Sequence, residues 1–514
     1  MMSSNANKLA VIKHRCEKEH DFFIRYFFKK RFESKFLLNW HHVWLCEEVD
    51  RLMQRAKDGK ETENLVFNLP PGGSKTEIMM NSIPHGLAIN HRSRFLYLSY
   101  SSDLVADVSD NAKSIVKSQD FQQLWATELS TSTDNKKEWK VRDGDYDAGH
   151  VFVASMGGQV TGRRGGRLEE GFTGLICIDD PIKPEDVFSA KLRNKANRKI
   201  INTVQSRKAK SSTPVVMIMQ RLHVDDPIRL TEDGSLTGKW RRIVVPALID
   251  DDYINTLPPH IAELVPTDVP RDSKGRQSYW NEKESLKSLL EMEQGGTNKD
   301  SQAISSFTFQ AQYMQSPIAL GGELIKSDWF NRYDDLPPLI WAGIYVDTAQ
   351  KTKEHNDWSV FLVGGMDKDN NYYVIDVVRG KWQAPELNKN ADMVITLHNK
   401  PQPPLRYMAV EDAAAGTQLI QNISTTSKVP IKAVQRGADK LTRFMNVQSI
   451  LEARRVWLPR RASWLNEFII ECEAFRADMA HDHDDQVDTL IDLLEFGARP
   501  FKTHRATAGK RTYR

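Results

Sequence analysis

Residues 64–80 read NLVFNLPPGGSKTEIMM, an apolar run, a Pro-Gly turn and a helix-forming run with no break between them. The apolar run is short enough for a buried strand, and EIMMNSIPHGLAI, beginning at Glu77, has the length and composition of a helix. Between them stand Pro70, Pro71, Gly72, Gly73, Ser74, Lys75 and Thr76. Small residues let backbone N–H groups close around a phosphate, a lysine reaches its β and γ oxygens, and a threonine hydroxyl can ligate Mg²⁺. Ser74 occupies the position before the lysine where that pattern has glycine. Taken alone, the segment is either a nucleotide site or an ordinary glycine turn.

From about 64 to 245 short apolar runs recur: SRFLYLSYS, VFVAS, GLICIDD, PVVMIMQ and WRRIVVPAL. Helix-like stretches separate them, which predicts a mostly parallel sheet with helices on both faces. Gly174 to Ile178 ends in Asp179-Asp180-Pro181. A carboxylate at such a strand edge holds Mg²⁺, and the next one orients or activates water, so Asp179 and Asp180 take those roles with ATP as ligand. Acids at strand ends are common, but both motifs in this order on a parallel sheet favour the ATP site. The loop GGQVTGRRGGR (157–167) offers Arg163 and Arg164 either to a γ-phosphate, as an arginine finger, or to a DNA backbone. PVVMIMQ ends in Gln220-Arg221, positioned to sense the γ-phosphate.

The glycine-bearing stretch SPIALGGELI (316–325) reads as a linker. Beyond it come WAGIYVDTA, WSVFLVGGM and NNYYVIDVVRG, the last two joined by a turn over 367–371, then a strand at RYMAVEDA and helices near 439–453 and 485–497. Three antiparallel strands followed by α/β alternation is the order of an RNase H-like domain. Asp347 lies in the first strand, Glu411 ends the later one, and the run His481 to Asp488 opens the last helix. Asp485 and Asp488 are three apart and share a helix face. Clustered carboxylates hold two divalent ions about 3.5–4 Å apart across a scissile phosphate, and hard oxygens suit Mg²⁺ or Mn²⁺. The competing readings are a plain strand-end acid, an acidic first helical turn favoured by the helix dipole, or a transition-metal site using His481 and His483. The order of the acids along the chain favours the nuclease.

These signals divide the 514 residues into a helical lead-in over 1–60, an ATPase domain over 61–315, a linker over 316–328, a nuclease domain over 329–498 and a basic tail over 499–514. Residues 250–305 read as loops around one helix over 282–293. No apolar run approaches the roughly 18 residues of a membrane span, and the N-terminus has no apolar signal core. Four cysteines without paired spacing support neither a zinc ribbon nor a disulfide framework, and point to a reducing, cytosolic setting. A net charge of +3 is no argument for nucleic acid, but residues 501–514 hold five basic residues and no acid. That tail is either a disordered solubilising end or a docking element.

The motifs, in this order, resemble the large terminase subunits of tailed bacteriophages. The likeness is carried by PP-G-x-x-K-T, SYSSDLVADVSDNAKSIV, TGRRGG, IDDP, MQRLHVDD, QAQYMQSPIALGGELIKSDWF, YVDTA, VEDAAAGTQLIQ, DKLTRF and HDDQVD. The resemblance implies a P-loop ATPase that drives double-stranded DNA through a portal into an empty procapsid, and an RNase H-like nuclease that cuts the concatemer. It makes Lys75 and Thr76 the phosphate and metal contacts within 71–76, Asp179 the metal-holding acid, and Arg163 or Arg164 the finger. Gln220 and Arg221 become the coupling element. Asp180 stands where the family usually has Glu, with Glu185 as the alternative base. The nuclease carboxylates become Asp347, Glu411 and one or more of Asp484, Asp485 and Asp488. The implied partners are double-stranded DNA, the portal of the procapsid and a small recognition subunit. The implied state is a homo-oligomeric ring on the portal in the host cytoplasm, with a monomer in isolation. Two rival readings are a repair nuclease whose ATPase is a clamp, acting on branched DNA, and a non-catalytic DNA-binding virion component, for which Ser74 and Asp180 would be degenerate positions.

Overall fold

In the computed structural model of the chain, Asn64–Asn68 is strand β1, buried along its length, and the glycine turn leads from it directly into the helix Lys75–Ile89. The structure describes residues 2–294, 304–317, 324–348, 358–401, 403–412, 415–424, 427–477 and 483–498. His481, the basic tail and 318–323 of the expected linker lie outside the described residues. The chain divides into two compact units, Met1–Glu293 with Phe307–Ala319, and Gln294–Ser306 with Leu320–Arg514.

In the first unit β1 is joined by β2 (Arg94–Ser99), β3 (Leu129–Asp134), β4 (Glu138–Asp143), β5 (Tyr146–Ser155), β6 (Ile176–Asp179), β7 (Val215–Ile218) and β8 (Trp240–Val244). The sheet order is β3-β4-β5-β2-β6-β7-β1-β8. All neighbours from β5 to β8 run parallel, while β3 and β4 extend one edge antiparallel. The apolar runs of the sequence are the parallel strands. Strands β3 and β4 (LSTSTD, EWKVRD) are too polar to stand out by hydropathy, β3 because it is the edge strand and β4 because only its alternate side chains, Trp139 and Val141, are buried. β7 is inserted between β1 and β6, so three strand ends meet side by side: the glycine loop, Gln220 and Asp179. Ile178 pairs with Met217 and Val66 with Met217, which fixes their common level. Beneath them Val66, Ile178, Met217, Ile200 and Val204 form part of one buried cluster, and each such side chain is worth about 1.5–3 kcal/mol.

The helices His20–Phe32 and Trp40–Lys57 account for the helical reading of 20–60. Between 250 and 294 the structure has more than the single expected helix: short turns at Asp251–Thr256 and Pro259–Ala262, and a ribbon of β9 (Leu248–Ile249) with β10 (Gln277–Ser278). The helix expected from 282 begins at Leu286, because the Ser285 hydroxyl accepts the Ser288 N–H at 3.2 Å and caps it there.

The second unit is built on β11 (Asn331–Tyr333), β12 (Trp341–Asp347), β13 (Ser359–Met366), β14 (Tyr372–Gly380), β15 (Leu405–Glu411), β16 (Ile431–Val434) and β17 (Val456–Pro459). Their order is β11-β17-β14-β13-β12-β15-β16. β12, β13 and β14 are antiparallel, and β15 and β16 add parallel to β12, as the RNase H-like reading requires. Asp367 fixes the β13–β14 turn by accepting the Asp369 and Asn371 N–H groups at 2.8 and 2.9 Å. The helices Lys440–Glu452 and Asp485–Ala498 complete the unit. All four cysteines are buried and free. Among the described residues no helix is long and apolar enough to cross a membrane.

Candidate functional site

At the end of β1 the chain must reverse within four residues, and two glycines make that feasible. Gly72 has φ +71°, and a Cβ there would run into the Lys283 ammonium, which donates to the Gly72 carbonyl. A Cβ at Gly73 would lie 2.9 Å from Leu69 Cδ1. Ser74 adopts the same left-handed region, φ +60°, without being glycine. It is therefore a strained position immediately before Lys75.

The strand order brings most of the expected nucleotide residues together. The Lys75 ammonium donates to Gln220 Oε1, linking the loop to the end of β7. The Thr76 hydroxyl donates to Asp179 Oδ2 at 2.9 Å, and the Tyr97 hydroxyl donates to the same oxygen at 2.6 Å. Asp179 is fully buried, and its other oxygen has no hydrogen-bond partner. Burial and the neighbouring Asp180 push this carboxyl up to about 7, against the pull of Tyr97, Thr76 and Lys75. A buried carboxylate with one oxygen unsatisfied, beside a threonine hydroxyl, fits a hard divalent cation. Asp180 has φ +41°, is tied through its backbone to Ile218 and Tyr100 at 3.0 Å each, and has its carboxyl pushed up by burial against the pull of Lys75. Glu185 sits on the turn Pro184–Val187, lining a hollow with Tyr100, Ser101 and Lys183.

The arginines are placed differently. Arg163 donates to Glu138 Oε2 on β4 at 2.8 Å, and Arg164 is exposed. Among the described residues no hydrogen bond or ion pair joins either of them to Lys75, Thr76, Asp179 or Asp180. Arg221 is buried in a pair with Asp226 at 2.9 Å, and its backbone N–H donates to Gln315 Oε1 at 3.0 Å. Gln220 thus touches the phosphate loop, while Arg221 braces the segment behind it. Tyr97 and Lys283 escaped the sequence reading: a tyrosine in an apolar strand reads as core, and Lys283 lies more than 200 positions from the loop it touches.

In the second unit Asp347 ends β12 and Glu411 ends its parallel neighbour β15, with Val346 paired to Val410 just before them. The helix Asp485–Ala498 presents Asp485, Asp488 and Asp492 on one face. These acids converge on Arg436, at the end of β16. Its guanidinium lies 2.9 Å from Glu411, 2.8 Å from Asp492, 3.5 Å from Asp347 and 3.6 Å from Asp488. Lys440 bridges Asp484 and Asp488 at 2.6 and 2.5 Å, and Arg443 holds Asp488 and Asp492. Asp485 accepts the Trp358 N–H at 2.9 Å. Burial pushes the Asp347 carboxyl well above the ordinary range, opposed by Arg436 and reinforced by Asp488, Glu411 and Asp485. Gly416 has no room for a side chain, since a Cβ would run into the Glu411 carbonyl. Arg436, Lys440 and Arg443 offset the charge of these buried and half-buried carboxylates, and an all-oxygen set of this kind is the donor type that divalent ions take. Asp492, Arg436, Lys440 and Arg443 were not singled out from the sequence, although Asp492 was detectable, lying one helical turn beyond Asp488.

Residues 344–495 match the family described as Terminase RNaseH-like domain. No curated protein matches the chain. Among solved structures, the large terminase of a thermophilic bacteriophage aligns at 8% identity over 88% of this chain and 98% of its own, with a TM-score of 0.47. The HK97 bacteriophage large terminase aligns at 12% over 91% of this chain and 96% of its own, TM-score 0.32. The large terminase nuclease of the thermophilic phage G20c, with bound magnesium, aligns at 14% over 34% of this chain and 96% of its own, TM-score 0.24.

Proposed function

We propose, from the match of residues 344–495 to the Terminase RNaseH-like domain family, a phage genome-packaging motor, a large terminase subunit that hydrolyses ATP to move double-stranded DNA into a procapsid and cleaves the concatemer. The observation that supports the reading is that each unit gathers polar side chains at its strand ends: Lys75, Thr76, Asp179 and Gln220 in the first, and Asp347, Glu411, Asp485 and Asp488 in the second.

In the first unit the N–H groups of 72–76 cradle the phosphates of ATP and Lys75 neutralises them. Thr76 and Asp179 would hold Mg²⁺. Asp180 positions the attacking water, with Glu185 as the alternative, and Arg163 or Arg164 completes the charge compensation once released from its resting contacts. The Lys75 ammonium carries three N–H donors, one of them on Gln220 Oε1, so a bound γ-phosphate would share the lysine with Gln220. Nucleotide binding would draw Lys75 toward the phosphate and change its hold on Gln220, and phosphate loss would reverse the change. That exchange moves the end of β7, which Arg221 braces through Asp226 and Gln315.

In the second unit Asp347, Glu411, Asp488 and Asp485, with Asp484 alongside, would hold Mg²⁺ or Mn²⁺. Bound there, the ions supply Lewis-acid stabilisation of the scissile phosphate and an activated water. Arg436, Lys440 and Arg443 keep the carboxylates from repelling one another and fix the helix face that carries them. Packaging requires the portal and a small recognition subunit as partners, with copies of the chain working as a ring.

The test is a pair of single substitutions in the full chain. Lys75→Ala abolishes ATP turnover and ATP-dependent protection of DNA by procapsids, while divalent-dependent plasmid cutting survives. Asp347→Ala does the reverse for cutting and turnover. If either change removes both activities from a folded protein, the two-site reading is wrong. Turnover without protection by procapsids would favour a repair nuclease.

A further inference from the structure

The helix Ala190–Arg207 (AKLRNKANRKIINTVQSR) carries six basic residues and no acid in 18 positions. Its inner face is built into the nucleotide unit: Ile200 and Val204 are fully buried in the cluster that contains Val66 of β1, Ile178 of β6 and Met217 of β7. Those strands carry the phosphate loop, Asp179 and Gln220. Arg193 also turns inward, donating to the Val187 carbonyl.

The outer face is different in kind. Lys191, Lys195, Arg198, Asn202 and Gln205 are all exposed and follow one another at spacings of four, three, four and three, a single stripe along the helix. Three cations lead it and two neutral hydrogen-bonding groups continue it. Among the described residues no carboxylate pairs with Lys191, Lys195 or Arg198; Arg198 reaches only the Asn194 carbonyl, at 3.3 Å. Elsewhere in this unit some surface lysines are paired, Lys113 and Lys117 with Asp134, Lys136 with Asp110 and Lys140 with Asp147, while among the described residues no ion pair joins the exposed Lys35, Lys57, Lys137 or Lys183 to a carboxylate. What sets the helix apart is that Lys191, Lys195 and Arg198 lie together on one stripe.

One end of the helix follows the ATP site along the chain, and the other holds the arginine loop. Its cap, Ser189, follows Asp180 by nine positions through the turn Pro184–Val187. At the other end the Gly165 N–H donates to the Arg207 carbonyl at 3.0 Å, and the Ala209 N–H donates to the Gly165 carbonyl at 3.0 Å. That anchors the loop bearing Arg163 and Arg164 to the helix. Midway, Lys199 donates to the Gly158 carbonyl at 3.3 Å.

We infer that the outer face of this helix is the surface that grips the phosphate backbone of double-stranded DNA, moved by the nucleotide site whose strands its inner face packs against. This rests on the packaging reading. The ligand class follows from charge: Lys191 to Arg198 spans about 10 Å of helix, against which a duplex presents about six phosphates. Backbone contacts of this type are indifferent to base sequence, as a motor requires.

The experiment is fluorescence-polarisation titration of a blunt DNA duplex with the full chain across a range of salt. It compares Lys191→Gln/Lys195→Gln/Arg198→Gln, the single Lys195→Gln, and a control triple, Lys136→Gln/Lys239→Gln/Lys287→Gln, at exposed sites elsewhere in the unit. The triple in the helix should lower the slope of log affinity against log salt by about 2–3, and weaken binding at about 0.1 M salt by between tenfold and several hundredfold. The single change should lower the slope by about 0.9, and the control triple should leave it where it was. The increment that duplex DNA adds to ATP turnover should fall with the affinity. A helix triple with the wild-type slope, or a control triple with an equal loss, overturns the inference while leaving the packaging reading intact. Retained duplex binding with lost binding of an acidic polypeptide would assign the face to a protein partner and likewise overturn it. Wild-type protein that shows no salt-dependent duplex binding sinks the packaging reading itself.

Discussion

Replacing Tyr97 by Phe removes one hydroxyl from the wall of the nucleotide site and nothing from its shape. That hydroxyl donates to Asp179 Oδ2 at 2.6 Å inside a fully buried environment, where the other donor to the oxygen is Thr76 at 2.9 Å. A hydrogen bond to a charged group is worth about 1.5–3 kcal/mol, or about 1–2 pKa units at 1.36 kcal/mol each. Tyr97 favours the ionised form of Asp179, which stands at about 7, so its loss raises the carboxyl further. At pH 7 the ionised fraction then falls well below one half. Mg²⁺ competes with the proton for this carboxylate, so Mg·ADP binding should weaken about 5- to 50-fold at pH 7. The deficit should shrink as pH rises toward 9 and ionisation recovers in the variant. The assay is calorimetric titration of Mg·ADP into wild type and Tyr97→Phe at pH 7, 8 and 9, with melting temperatures measured alongside. An unchanged Kd at pH 7 would refute the reasoning. So would a deficit equally large at pH 9, since that would place the role of Tyr97 in packing rather than in charge.

Ser74→Gly relieves a residue held at φ +60° and should raise the melting temperature slightly, the relief of about 1–2 kcal/mol being largely offset by the added freedom of the unfolded chain; a clear loss of stability would mean that Ser74 is not strained. His85 and His20 stack face to face at 4.6 Å in the interior, and burial holds His20 well below the usual imidazole range and His85 at about 3. Both titrate near 6.5 when unfolded, so this stabilisation is complete above pH 6.5 and is lost as pH falls toward 3, by roughly 4–5 kcal/mol for His85. His85→Leu should flatten the stability–pH curve between those limits in urea denaturation, and an unaltered slope would count against it. Arg443→Ala leaves Asp488 and Asp492 short of a buried cation and should cost about 3–5 kcal/mol, part of it recovered in Arg443→Met/Asp492→Asn; equal stability of wild type and Arg443→Ala would show the pair to be dispensable.

What could be read along the chain was whatever is local. The glycine turn between an apolar strand and a helix, the acids closing apolar runs and the alternation of strand and helix are all short-range patterns, because backbone geometry and burial impose them within a few residues. They were enough for two α/β units and for the pairs Lys75–Thr76, Asp179–Asp180 and Asp485–Asp488. The polar strands β3 and β4 were not legible, since their pairing with β5 and not their composition makes them strands. Nor could the sequence say that β7 lies between β1 and β6, which is what sets Gln220 against Lys75 and leaves Arg221 to Asp226. Tyr97 at Asp179, Lys283 at Gly72 and Arg436 among four carboxylates are contacts between residues dozens to hundreds of positions apart. A chain records which side chains it carries and how they alternate. Which distant ones share a buried charge is settled only when the sheets assemble, because the cost of burying each charge depends on what the fold has put beside it.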